Sequence, residues 1–343
     1  MTAPQSYASI DIAKFVCALL IVMLHVHIGD IFNAHTSWFL TSSTSRLAVP
    51  FFFVSSGFFL ARKITYKSDF SYTKSYIIRL LKPLILWLFI NTVLEIIKFI
   101  IVGKSAIAIL ITVTRALLFY PYGALWYVYA LILGVLLLYF LVKKMKFSRL
   151  QLICVSMAMY VFALLCNNYY WVSELLGISG GIDMYLFVFK TARNGFFVGL
   201  PFITWGYLLA SVKDSLAGKR HILLVACAVL VSFFFFEIGF LEVKHKVDDC
   251  ALFVVFPLMI PCIFAILLNV KIPLSYDISK LLRNLSAGIY FSHRAFYSIL
   301  IIYCGLCGLS PVPVEYLFCV LLLSISLCMF CYKYMPKFSH FIS

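Results

Sequence analysis

The sequence predicts an all-α integral membrane protein: a bundle of about ten transmembrane helices with both termini in the cytoplasm. Of its 343 residues, 64% are hydrophobic and 12% are charged, whereas a soluble domain is about 45–50% apolar and about a quarter charged. The apolar residues also fall into runs of about 20, the length that crosses a bilayer as a helix. We therefore expect a single transmembrane domain over residues 1–343, with no separate soluble domain.

Ten apolar runs define the predicted spans. The first run is a full span with no small-residue cleavage site after it, so we expect it to stay as the first helix. The segment 103–123 contains an apolar stretch too short to cross, which favours a helix lying at the interface. The predicted spans are 9–28, 45–62, 83–102, 124–142, 150–167, 191–211, 221–240, 249–269, 285–305 and 314–332.

The basic residues indicate orientation. There are 28 Lys and Arg residues against 13 Asp and Glu, a net charge of +15. Most of them lie in short, even-numbered connections, a distribution that follows the positive-inside rule and suits contact with membrane lipid headgroups. This pattern excludes a nucleic-acid partner and places both termini in the cytoplasm. The eleven cysteines lie mostly in apolar spans and are interpreted as small buried hydrophobes, so we expect no metal site.

The first span carries an acid, a base and an imidazole on one side. Lys14 and His25 are eleven residues apart, close to three full turns, and Asp11 lies near the same line. His25 therefore sits about 16 Å deeper along this face than Lys14. Ionisable groups inside a membrane helix point to function by default, and neutral imidazole can act as a general base. The alternative is a structural His hydrogen-bonded to a neighbouring helix and a Lys that reaches the interface.

Two further groups of cations are candidate ligand contacts. Arg46 opens the second span at about the depth of His25, where it could stabilise an oxyanion or serve as an interfacial anchor. Arg79 and Lys82 lie one turn apart before Pro83, where they could bind a phosphorylated ligand or simply follow the positive-inside rule. Gly57 in the second span allows close helix approach.

Three more residues are candidates for the same cavity. Trp126 lies in an aromatic cluster at a membrane boundary, where an aromatic belt is the alternative explanation. Arg193 begins the sixth span on the outer side, and His293 lies within the ninth. Each is an unusual polar group at depth, and His293 could equally be a structural hydrogen-bonder.

Six segments in order resemble the successive blocks of acyltransferase family 3. They cover nearly the whole chain, from about residue 7 to 335. Each block is weakly specific alone, but six in the family order are a strong signal. They are DIAKFVCALLIVMLH, SRLAVPFFFVSSGFFL, RLLKP, LWYVYAL, RNGFFVGLPFITWGYLLA and GIYFSH.

The resemblance implies a ten-helix enzyme of the bacterial cytoplasmic membrane. It moves an acyl group, commonly acetyl, from cytoplasmic acyl-CoA to a hydroxyl of a cell-surface or lipid-linked glycan. His25 is then the general base and Arg46 the oxyanion contact, while Lys14, Arg79 and Lys82 bind the donor. Many relatives carry an added extracytoplasmic esterase-like domain that we do not find in this sequence, so we expect acylation by the membrane domain itself.

This chain departs from the family pattern at two positions. The family's Arg-x10-His motif falls on Lys14 and His25, and its Arg-x-x-Arg motif falls on Arg79 and Lys82. Lysine keeps the charge but loses the bidentate fork of arginine. The competing hypothesis is a transporter or exporter that uses the same charged cavity for a small polar or glycan substrate.

Overall fold

The structure, a computed structural model, describes residues 7–39, 44–64, 70–118, 121–216, 218–244 and 251–336. It is 85% helical, and these ranges contain no β-strand, which confirms the all-α class. The helices are α1 Ala8–His25, α2 Ala34–Phe39, α3 Ala48–Ile64, α4 Phe70–Ile101, α5 Ala106–Leu118, α6 Trp126–Tyr139, α7 Arg149–Leu165, α8 Tyr170–Leu175, α9 Ser179–Phe189, α10 Leu200–Leu216, α11 Arg220–Lys244, α12 Phe256–Leu268, α13 Tyr276–Cys307 and α14 Pro313–Tyr334.

Each of the ten predicted spans contains a helix, but not every helix has the length of a full crossing. Three of these helices do not belong to a stretch long enough to cross: α3 and α7 have 17 residues and α12 has 13. The count of ten spans therefore remains a prediction. Among the residues that the structure describes, seven helical stretches are long and apolar enough to cross a membrane, namely Ala8–His25, Phe70–Ile101, Ala106–Lys144, Gly195–Leu216, Arg220–Val243, Tyr276–Cys307 and Pro313–Tyr334.

Helices α1 and α13 run side by side in the same direction. Asp11 contacts Ser279 near the start of both helices, and His25 contacts His293 fourteen residues further along each. If both helices cross the membrane, the chain must cross it an odd number of times between them. Four of the seven long stretches lie in that interval. Parity is satisfied if either one or all three of the shorter helices α3, α7 and α12 also cross, and the prediction of ten spans corresponds to all three.

The helix start predicted at Pro83 is wrong, and a second helix begins before the membrane span predicted within it. Helix α4 begins at Phe70, so Pro83 lies inside it and does not open it, and α13 begins at Tyr276 rather than near 285. Both helices extend through basic, amphipathic sequence beyond the apolar run, because Lys, Arg and Leu are good helix formers outside the bilayer too. Proline is tolerated within a membrane helix where neighbouring groups satisfy the backbone. The Ser275 hydroxyl caps α13 by accepting a hydrogen bond from the backbone N–H of Ile278.

The segment 103–123 contains the 13-residue helix α5. Its large apolar side chains are mostly exposed, including Ile107, Leu110 and Leu118. Helix α5 belongs to the long apolar stretch Ala106–Lys144. Its placement at the interface therefore remains a prediction.

Helices α3 and α10 cross backbone to backbone in the centre of the bundle. A Cβ built on Gly57 would lie 2.0 Å from the carbonyl oxygen of Ile203, and one on Gly206 would lie 2.0 Å from that of Val54. Real Cβ atoms do not approach carbonyl oxygens this closely, so only glycine fits at either position. Small residues at such crossings let membrane helices pack by van der Waals contact. This crossing carries Arg46 at one end of α3 and Arg62 at the other.

We expect Gly57→Ala and Gly206→Ala to destabilise the bundle by about 1–3 kcal/mol each, because the new methyl group must push two backbones apart. Gly305→Ala in α13 is the matched control, since nothing lies within 4 Å of its Cβ position. Thermal unfolding of the detergent-solubilised chain measures the difference. Equal melting temperatures for Gly206→Ala and Gly305→Ala would contradict the close crossing.

Candidate active site

His25 is the last residue of α1, and one of its two ring nitrogens is held in a hydrogen bond. Its Nδ1 lies 2.8 Å from the carbonyl oxygen of Ile21, one turn earlier. A carbonyl oxygen only accepts hydrogen bonds, so Nδ1 carries the proton of the neutral ring. The lone pair is then on Nε2. This is the tautomer that a general base requires, and it is set by the local helix backbone.

His293 repeats this arrangement on α13. Its Nδ1 lies 3.0 Å from the carbonyl oxygen of Ile289, again one turn earlier, and its side chain is fully buried. The two imidazole rings are edge to face with centroids 5.1 Å apart. The Nε2 atom of His293 has no hydrogen-bond partner among the described residues. Two imidazoles are therefore adjacent within the bundle, and each keeps an Nε2 lone pair when its ring is neutral.

A cavity of about 60 Å³ lies against His25, and we name it the His25 cavity. It brings together three further residues that the sequence singles out: Arg46, Trp126 and Arg193. The guanidinium of Arg193 stacks 5.3 Å from the Trp126 ring. The cavity thus combines one base and two cations in an enclosed space, where charge interactions are stronger than in water.

Short irregular helices hold these cavity residues in place. A 3₁₀ turn over Ser45–Leu47 presents Arg46 ahead of α3, and another over Gly123–Leu125 precedes Trp126. A π-helical turn over Gly195–Gly199 follows Arg193. The Asn194 side chain caps this turn by accepting from the backbone N–H groups of Phe196 and Phe197.

A second cavity of about 200 Å³ lies towards the other end of α1, and we name it the Lys14 cavity. Lys14 and Arg283 supply its charges, and Tyr76 and Tyr127 lie in its wall. The ammonium of Lys14 is 5.0 Å from the ring of Phe59. The hydroxyl of Ser286 donates to the carbonyl oxygen of Lys14 at 2.9 Å, which holds α1 and α13 in register here.

Tyr290 separates the two cavities. Its side chain lines both of them, and its hydroxyl donates a hydrogen bond to the carbonyl oxygen of Ala124. The ring is buried and packs edge to face on Tyr127 with centroids 5.5 Å apart. A molecule that extends from Lys14 to His25 must therefore pass this side chain.

Asp11 lines neither cavity, although the sequence suggests it as a cavity residue. Its carboxylate is buried, accepts a 2.6 Å hydrogen bond from Ser279 and lies 3.7 Å from the guanidinium of Arg283. A buried carboxylate needs such partners to offset its lost hydration. Asp11 thus positions Arg283 at the mouth of the Lys14 cavity.

Arg79 and Lys82 also lie outside both cavities. Both are exposed on α4, and the Arg79 guanidinium lies about 6 Å from the rings of Tyr72 and Tyr76. Their neighbours Tyr76 and Leu80, on another face of the same helix, line the Lys14 cavity instead. The role of the two cations in donor binding remains untested.

Arg283 and Tyr290 are site residues that were not predicted from the sequence. A sequence pattern in α13 could have indicated them: polar and aromatic residues recur at alternating spacings of four and three, at positions 279, 283, 286, 290 and 293. This is the periodicity of one helix face. The same face contacts α1 at Asp11, Lys14 and His25.

The sequence also contains two Cys-x-x-Cys spacings, at 304–307 in α13 and 328–331 in α14. Their cysteines are free thiols in the structure. Among the described residues, no three His, Cys, Asp or Glu side chains come together as a candidate metal site. The expectation of a metal-free reaction stays a prediction.

Two relatives are amino-acid racemases of Enterococcus faecalis: one is 29% identical over 214 residues, 61% of this chain and 29% of that protein, and the other is 23% identical over 287 residues, 79% of this chain and 39% of that protein. The chain thus matches well under half the length of these curated relatives. No solved structure matches it significantly.

One family profile matches almost the entire chain. It describes an acyltransferase domain and covers residues 7–333. This range contains α1 and α13, and with them both imidazoles and the two cavities between which Tyr290 lies. The chain belongs to acyltransferase family 3.

Proposed function

We propose that this protein is a membrane O-acyltransferase that moves an acetyl group from cytoplasmic acetyl-CoA to a hydroxyl of a cell-surface or lipid-linked glycan. The observation that carries the proposal is the His25 cavity. The Nδ1 atom of His25 is held by a backbone hydrogen bond, which leaves Nε2 to act as a base, and the side chains of Arg46 and Arg193 line the same cavity. Acyl transfer needs this combination: a base for the hydroxyl and cations for the oxyanion.

The reaction follows from the atoms present. Nε2 of His25 removes the proton of the acceptor hydroxyl as its oxygen attacks the thioester carbonyl. Arg46, and Arg193 beside it, stabilise the negative charge on the tetrahedral intermediate. The carbon–sulfur bond then breaks and the ester is released. The proton that His25 took from the acceptor hydroxyl passes to the departing CoA thiolate.

The donor route uses the Lys14 cavity. Lys14 and Arg283 contact the polar part of the donor, while the thin pantetheine arm extends past Tyr290 towards His25. The roughly 16 Å between Lys14 and His25 along α1 suits a long, narrow ligand. Movement of the Tyr290 side chain is part of this route, since it lies between the cavities.

The size of the His25 cavity favours acetyl over longer acyl groups. An apolar cavity of about 150 Å³ accommodates a benzene molecule, and the His25 cavity has about 60 Å³. A two-carbon acyl group suits this volume. A long acyl chain would require the surrounding helices to move.

The name racemase describes the two Enterococcus faecalis relatives. Because 61% or more of each relative lies outside the matched region, we assign no racemase activity to this chain. A transporter remains the competing class, since a charged cavity within a bundle also suits a transport path.

We expect His25→Ala to abolish acetyl transfer to glycan, because the variant has no base for the acceptor hydroxyl; general base catalysis alone contributes about 10²–10⁴-fold. His221→Ala is the matched control, since His221 is exposed at the start of α11. Membranes are incubated with radiolabelled acetyl-CoA, and label in glycan is counted. Wild-type labelling in the His25 variant would remove His25 from the mechanism, and substrate uptake with no labelled product would favour the transporter.

We expect Arg283→Gln to raise the KM for acetyl-CoA about tenfold or more, because a charge-assisted contact is worth about 1.5–3 kcal/mol. The kcat should change little, since Arg283 lies in the Lys14 cavity and not beside His25. Lys280→Gln removes the same charge from an exposed position one turn earlier and serves as control.

Arg283→Lys guards against misfolding, because it keeps a cation beside the buried Asp11 carboxylate. This variant should fold and show an intermediate KM, since lysine lacks the fork of arginine. A wild-type KM in both Arg283 variants would exclude this side chain from donor binding.

A further inference from the structure

A third cavity, of about 420 Å³, lies at the end of α3 and α10 that is remote from His25. We name it the Arg62 pocket. Among the described residues that line it are two cations, Arg62 and Lys213, and one carboxylate, Asp214, so the charge of these lining residues is net positive. Its volume lies in the range of small-molecule sites, about 300–1,000 Å³. Neither Arg62 nor Lys213 is used in the mechanism above.

The two cations converge on one neutral oxygen. Arg62 donates to the hydroxyl oxygen of Tyr7 at 3.0 Å, and the ammonium of Lys213 donates to the same oxygen at 2.8 Å. Both charged groups also lie over the Tyr7 ring, 5.5 and 5.1 Å from its centroid. Like charges held this close repel each other. An anion bound at this position would contact both cations, and phosphate is a ligand that both arginine and lysine bind.

The Arg62 pocket is linked to the Lys14 cavity by a continuous set of contacts. The Tyr7 ring packs on Phe59 with centroids 5.9 Å apart, and the Lys14 ammonium lies 5.0 Å from the same Phe59 ring. On α3, Ser56 of the Lys14 cavity and Arg62 of the pocket flank Phe59 at intervals of three residues. Along α1, Tyr7 is about 10 Å before Lys14 and about 27 Å before His25.

We propose that Arg62 and Lys213 bind the phosphate groups of the acyl-CoA donor, so that the nucleotide end occupies the Arg62 pocket and the pantetheine arm enters the Lys14 cavity. This assignment rests on the proposed acyltransferase function. In this assignment the donor phosphates contact Arg62 and Lys213 and not Arg79 and Lys82, the pair suggested by the sequence. The order of the three spaces matches the donor: a wide charged end, a thin polar arm and a small acyl group.

The test compares two acetyl donors with the purified full-length chain in nanodiscs. Acetyl-CoA carries the phosphates, and acetyl-pantetheine lacks them. For Arg62→Gln and Lys213→Gln we expect the KM for acetyl-CoA to rise about tenfold each, with kcat unchanged. The KM and kcat for acetyl-pantetheine should equal those of the wild type, which also shows that the variants are folded. Lys219→Gln, at an exposed position in the connection that follows α10, should match the wild type with both donors.

Other outcomes overturn the proposal in distinguishable ways. An unchanged KM for acetyl-CoA in both variants would exclude the pocket from donor binding. Equal increases for both donors would indicate a structural role. If the variants kept the wild-type KM but retained less phosphatidylglycerol after purification, the pocket would be a lipid headgroup site. If the wild type transferred acetyl from neither donor, the proposed function itself would fail, and this assignment with it.

Discussion

The parallel pairing of α1 and α13 is the constraint on which the candidate site depends. Three contacts hold it: Ser279 to Asp11, Ser286 to the Lys14 backbone, and the His25–His293 ring pair. The polar groups at the two ends are fourteen residues apart on both helices, about 21 Å. Because the spacings agree, both helices present polar groups at the same depths. A shift by one residue would turn every polar side chain of one helix away from its partner, and each unpaired group would be costly in a membrane.

Much of the site could be predicted because charge inside an apolar helix is a strong signal. The structure brings His25, Arg46, Trp126 and Arg193 around one cavity and His293 against His25, although their chemical roles remain untested. Arg79 and Lys82 lie outside both cavities. Their pattern is ambiguous because positive-inside topology and ligand binding place the same residue types at the same end of a span. Only the direction of the side chains separates the two explanations.

The roles of Arg283 and Tyr290 could not be predicted from spacing alone. Their helix-face periodicity is visible in the sequence, but which helix this face contacts depends on how the bundle packs. Tyr290 illustrates the difficulty: its hydroxyl meets a backbone carbonyl 166 residues away, at Ala124. The α3–α10 crossing is similar. Gly57 in the sequence indicates that another helix packs closely against α3, but only the fold identifies Ile203 and Gly206 of α10 as the residues on the opposite side.

The packing also shows what accompanies the lysine at position 14, where the family pattern has an arginine. Lysine keeps the charge and loses the planar fork. Arg283 restores a guanidinium to the same cavity, and Asp11 lies within 3.7 Å of it. Three residues further along α13, Ser286 bonds to the backbone of Lys14 itself, so the guanidinium and the ammonium are held at a fixed relative depth. The cavity therefore retains both a point charge and a bidentate donor, now on two helices whose register the buried polar contacts maintain.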